Sequence, residues 1–64
     1  MGSKKKHEWI CILTLASSKR IGSLPNKKRK KAIYNAFKLY LDMVPMLKGN
    51  IDVSYIEIIY NGKS

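Results

Sequence analysis

Residues 27–47 read KKRKKAIYNAFKLYLDMVPML, five consecutive cations followed by apolar residues at helical spacing. Ile33, Phe37, Tyr40, Leu41, Val44 and Leu47 recur at the period of one helix face. Ala32, Ala36, Leu39 and Met43 widen that stripe on one side, and Tyr34 widens it on the other. The apolar arc then exceeds the roughly 100° that packing on a single sheet requires. Lys31, Asn35, Lys38 and Asp42 form the polar remainder. Upstream, Ser23 is placed to act as N-cap and Pro25 suits a first helical turn, so the helix is predicted to begin around Leu24 to Asn26. Pro45 disfavours helix at Val44, and Gly49-Asn50 marks the stop.

Working outward, residues 7–16 (HEWICILTLA) and 51–60 (IDVSYIEIIY) read as strands rich in aromatic and branched side chains. In the first, Trp9, Cys11, Leu13 and Leu15 share one face, while Ile10, Ile12 and Thr14 share the other. In the second, Ile51, Val53, Tyr55 and Ile59 fall on one face, interrupted by Glu57, and Ile56, Ile58 and Tyr60 fall on the other. Residues 17–25 (SSKRIGSLP) read as a basic loop. The pattern predicts a small single α/β (α+β) domain over residues 7–60, ordered strand, basic loop, long helix, strand. A basic arm at 1–6 and a tail at 61–64 flank it. A strand–helix–strand crossover is normally right-handed with parallel strands.

The chain has 64 residues, which is room for one domain. A chain of 7.3 kDa buries roughly 6,000 Å² on folding. With somewhat over half of that area apolar, burial contributes about 90 kcal/mol at ~25 cal/mol/Å², and ordering the chain costs about the same. A lone monomer is therefore predicted to be marginal. Two strands and one helix also leave apolar strand faces uncovered, and an open strand edge invites another chain. Both arguments predict a homodimer, or else a protein partner. The candidate interface residues are Trp9, Ile10, Ile12, Ile56, Ile58 and Tyr60.

Thirteen Lys and Arg against four Asp and Glu give a formal charge of +9, which favours nucleic acid, anionic lipid or an acidic protein surface. Lys27, Lys28, Arg29, Lys30 and Lys31 stand at the helix start, where the macrodipole is already positive and cations destabilise. Unpaired N–H groups at the same end complete the chemistry of an anion site. The leading expectation is a nucleic-acid phosphate-backbone contact through these five residues, with Lys19 and Arg20 assisting from the loop. Tyr34, which flanks the cluster, and Tyr60, near a strand end, are the candidates for stacking on an unpaired base. Specificity is expected to be low, because nothing resembles a base-reading helix.

A charge run also serves to keep a sticky oligomer dispersed, and a K/R-rich run also reads as a nuclear-import signal. A small regulatory protein would bind a partner through its apolar strands and use the cations only to steer association. A peripheral binder of anionic membranes would use the Lys4 to Lys6 arm together with the helix cluster. The order of basic leader, aromatic strand, basic loop, helix and hydrophobic strand is similar to the N-terminal part of rhabdovirus matrix proteins. That likeness covers most of this chain and a fraction of theirs. It lies in element order, and it implies a viral accessory role among the alternatives.

Enzymatic chemistry is not expected. Glu8, Asp42, Asp52 and Glu57 are the only carboxylates, and none are spaced for paired acid–base work. One cysteine, Cys11, and one histidine, His7, predict neither a disulfide nor a metal site, and no cofactor motif is present. Cys11 reads as a buried, inert thiol. No apolar run reaches membrane-spanning length, and no signal-peptide pattern is read at the N-terminus. The expected compartment is cytoplasm or nucleus.

Overall fold

The computed structural model of the chain describes residues 7–62. Its elements are β1 (His7–Leu15), β2 (Arg20–Gly22), α1 (Arg29–Met43), a 3-10 turn (Val44–Met46) and β3 (Val53–Gly62). The strands form one antiparallel sheet in the order β2-β1-β3. The class is α+β, with one α-helix and a three-stranded sheet among the described residues. The predicted arm at 1–6 lies outside the described residues, as do Lys63 and Ser64 of the predicted tail. Asn61 and Gly62 are not tail but the end of β3.

The basic loop contains a strand, and this corrects the expected parallel crossover. β1 turns through Ala16, Ser17 and Ser18, with the Leu15 N–H donating to the Lys19 carbonyl at 2.8 Å. Ser18 takes a left-handed φ of 76°, as the closing residue of a three-residue hairpin loop does. β2 then returns the chain to the start of β1. The helix runs the length of the sheet again, and β3 comes back antiparallel, with Leu15 opposite Val53 and His7 opposite Gly62. One extra reversal changes the crossover from parallel to antiparallel.

The helix also starts later than its sequence predicts. Ser23 does not cap it. The Ser23 N–H donates to the Cys11 carbonyl at 2.8 Å, and the Ser23 Oγ accepts the Cys11 N–H at 2.9 Å. Asn26 exchanges both backbone bonds with Trp9, at 2.7 and 3.0 Å. Residues 23–26 are thus held extended by the backbone groups of β1, which need partners once buried. Pro25 lies exposed before the helix, not in its first turn. At the other end the helix stops where Pro45 predicts, passing from Met43 into the 3-10 turn. Gly49 adopts φ 88°, a conformation that favours glycine.

Cys11, Leu13, Leu15, Ile21, Ala32 and Ala36 are the fully buried apolar residues among those described. Ala32 and Ala36 let the helix backbone approach β1, and Ile33, Phe37, Tyr40 and Met43 pack around that contact. Leu41, predicted in the middle of the stripe, is 65% exposed, and Leu39 and Tyr34 also face outward. The helix therefore buries only the Ala32–Ala36 side of its wide arc. It lies over β1 and β2 and leaves β3 largely uncovered. A bulge between Thr14 and Leu15 changes the parity of β3. Val53 joins Ile56 and Ile58 on the helix side, instead of sharing a face with Tyr55 and Ile59 as strict alternation predicts.

Candidate nucleic-acid interface

The five-cation run straddles the helix start. Lys28 is the N-cap residue, with φ −107° and ψ 127°, and Arg29 is the first helical residue. Lys27 precedes the cap. The geometry is fixed from below by Asn26, whose backbone is locked to Trp9 and whose Oδ1 accepts the Lys28 N–H at 2.9 Å. The first intrahelical bond runs from the Ala32 N–H to the Lys28 carbonyl at 3.0 Å. No side chain caps the helix, and no acidic residue occupies its first turn. The N–H groups of Arg29, Lys30 and Lys31 are the orphan donors that such a terminus leaves.

All five cations are exposed. Among the described residues the one ion pair is Arg20 with Glu57, at 3.3 Å, so none of the five is neutralised by a neighbour. Lys27, Lys28 and Lys31 line an open cleft of about 440 Å³ together with Pro25, Asn26 and Glu8. Lys30 and Lys31 share a second groove of about 320 Å³ with Tyr34, which is 63% exposed. The arrangement offers phosphate contacts beside one free aromatic face. Glu8 is the single carboxylate at the rim, and it opposes an anion there.

Lys19 and Arg20 do not join this cluster. Lys19 sits in the β1–β2 turn at the opposite end of the hairpin from Asn26. Arg20 and Asn26 are six residue steps apart along extended chain, a span of about 20 Å at ~3.3 Å per residue. Arg20 also pairs with Thr14, on the sheet face away from the helix, and is engaged by Glu57. The loop and the helix start are therefore two separate basic patches. Asn26, Glu8 and Pro25 belong to the cleft but are not singled out by the sequence. Asn26 alone carried a signal, as an Asx residue two positions before a helix cap.

The remaining candidates divide between core and strand. Trp9 packs on the core, and its ring lies 4.6 Å from that of Tyr60. The Tyr60 hydroxyl hydrogen-bonds His7 Nδ1, so Tyr60 belongs to the β1–β3 pair and not to the cation cluster. Phe37 and Tyr40 meet edge to face, and the Tyr40 hydroxyl donates to the Ile51 carbonyl at 2.8 Å. Ile10 and Ile12 are half-buried on the sheet face away from the helix, while Ile56 is 45% exposed beside half-buried Ile58. Cys11 is fully buried, and burial pushes its thiol pKa up. Among the described residues no group of acids, His and Cys is placed to hold a metal ion. No helix there is long and apolar enough to cross a membrane.

The chain matches no protein-family model, no curated protein and no solved structure. The similarity of element order to rhabdovirus matrix proteins therefore gains no support from these comparisons.

Proposed function

We propose that this protein is a small non-enzymatic binder of nucleic-acid backbone, acting through Lys27, Lys28, Arg29, Lys30 and Lys31 at the start of α1. The observation that carries the reading is an uncapped helix start bearing five exposed cations and no acid in its first turn. Cations at that end oppose the macrodipole, so the run costs fold stability, and an external anion offsets the cost. Tyr34 stacks on an unpaired base beside Lys30 and Lys31. Lys19 and Arg20, on a separate patch, contribute through long-range attraction only. Contacts to phosphates alone give little sequence preference.

The test is binding to short duplex DNA, single-stranded DNA and RNA across a salt series, with anionic vesicles as a further arm. If each of the five cations neutralises one phosphate, the slope of log K against log salt on duplex is about −4.5. Affinity then falls about 500-fold between 50 and 200 mM salt. A variant with Lys27, Lys28, Arg29, Lys30 and Lys31 changed to Ala loses both affinity and slope. Equal weak binding by the two proteins overturns the reading, and vesicle binding without nucleic-acid binding replaces it with a membrane role.

A further inference from the structure

The longest strand is also an open edge. β3 spans Val53–Gly62 and pairs only with β1 among the described residues. The hydrogen bonds of β1 define which of its atoms face outward. Trp9, Cys11 and Leu15 direct their backbone groups to the β2 side, bonding Asn26, Ser23 and Lys19. By alternation, Ile10, Ile12 and Thr14 turn theirs toward β3, opposite Ile59, Glu57 and Tyr55. On β3 it is therefore Ile56, Ile58 and Tyr60 whose N–H and C=O groups point away from the sheet.

Natural edge strands are normally guarded by lysine, proline or an inward charge. This chain carries thirteen Lys and Arg, yet none falls between Gly49 and Gly62. Of the two acids in that segment, Glu57 is already paired with Arg20. Exposed apolar side chains flank the edge on both faces: Ile56 and Tyr60 on the helix side, Tyr55 and Ile59 on the other. In a +9 molecule this is the stretch where a second copy approaches without opposing cations. The cation cluster lies at the start of α1, which packs over β1 and β2.

We propose that two copies join β3 edge to edge, antiparallel, about a two-fold axis through Ile58, forming one six-stranded sheet. The proposal is independent of the nucleic-acid reading. An axis perpendicular to the sheet brings both helices to the same face and makes the interface self-complementary. The register follows from side chains. Centring on Ile58 pairs Ile56 with Tyr60 of the second copy and overlaps residues 54–62, nine of the ten in the strand. Centring on Glu57 sets two carboxylates directly opposite each other, which is unfavourable. Centring on Ile56 leaves Tyr60 opposite Asp52, beyond the strand.

The experiment is solution mass by sedimentation over a concentration series, in high salt to screen the cations. The mass is expected to rise to twice the 7.3 kDa monomer, and Ile56→Lys, which places a cation on the edge, is expected to remain monomeric. In parallel, amide exchange of the unaltered protein should slow at Ile56, Ile58 and Tyr60 as concentration rises. The slowing is about tenfold where nine-tenths of the chain is dimeric. Tyr55, Glu57 and Ile59, bonded to β1, are protected at every concentration. Under mild oxidation Ile58→Cys forms a covalent dimer and Ile56→Cys does not. A monomer at all concentrations overturns the proposal, as does concentration-independent exchange at the three edge amides. A dimer that survives Ile56→Lys places the interface elsewhere, and cross-linking through Ile56→Cys alone overturns the register.

Discussion

Lys28→Asp separates stability from binding in one substitution. Lys28 already has the extended backbone of an N-cap, but its side chain cannot accept the orphan N–H groups of the first turn. An Asp there caps them, a change worth about 1 kcal/mol. Replacing a cation by an anion at the positive end of the helix adds roughly 0.5–1 kcal/mol. The sum is about 1.5–2 kcal/mol, or a rise in Tm of roughly 6–16 °C for a domain of this size. The same substitution removes one phosphate contact, so affinity for duplex DNA at 0.1 M salt falls about tenfold and the salt slope becomes about one unit shallower. Thermal melts at one fixed protein concentration, beside the salt-series binding assay, read both effects. Lys28→Ala is the control: it loses the same phosphate contact but gains only a few tenths of a kcal/mol. A Lys28→Asp protein no more stable than Lys28→Ala would refute the uncapped helix start. Unchanged nucleic-acid affinity would refute the placement of the site.

Four further outcomes follow from particular residues. Ser18→Gly relieves a left-handed φ and should raise stability by about 0.5–1 kcal/mol in chemical denaturation; a loss would mean the β1–β2 turn is built differently. Leu13→Ala truncates a fully buried side chain of a thin core and should cost about 3 kcal/mol, enough to leave much of a marginal chain unfolded by circular dichroism. Glu8→Gln removes the one carboxylate on the cationic cleft and should tighten oligonucleotide binding by about two- to fivefold at low salt. Cys11 should resist thiol reagents in the folded protein and react on denaturation. Its folded pKa is raised, so its contribution holds below the ordinary thiol pKa and is lost as pH climbs past it, with stability falling in alkaline melts.

Much of the architecture is legible in local pattern. The two faces of β1 are set by alternation from Trp9 to Leu15, and the helix stop is set by Pro45. What escapes local reading are features imposed by neighbours. Arg20, Ile21 and Gly22 have no strand signal of their own; they are a strand because the free side of β1 needs partners. Ser23 and Asn26 look like helix-start residues but serve the same edge, which delays the helix to Arg29. The Ser54 region inserts one residue and so moves Val53 to the other face, a shift that no alternation rule anticipates. For the candidate site, the Lys27 to Lys31 run and Tyr34 are visible in sequence. The separation of Lys19 and Arg20 from them is not, because it depends on β2 turning the chain back along β1.

A nucleic-acid site at the start of α1 is tested by titrating isotope-labelled protein with a short single-stranded oligonucleotide and following the amide chemical shifts. The largest shifts are expected at Arg29, Lys30 and Lys31, with Lys28 and Tyr34 following and the β1–β2 turn unaffected. Shifts centred on Lys19 and Arg20, or spread evenly over the molecule, would contradict it.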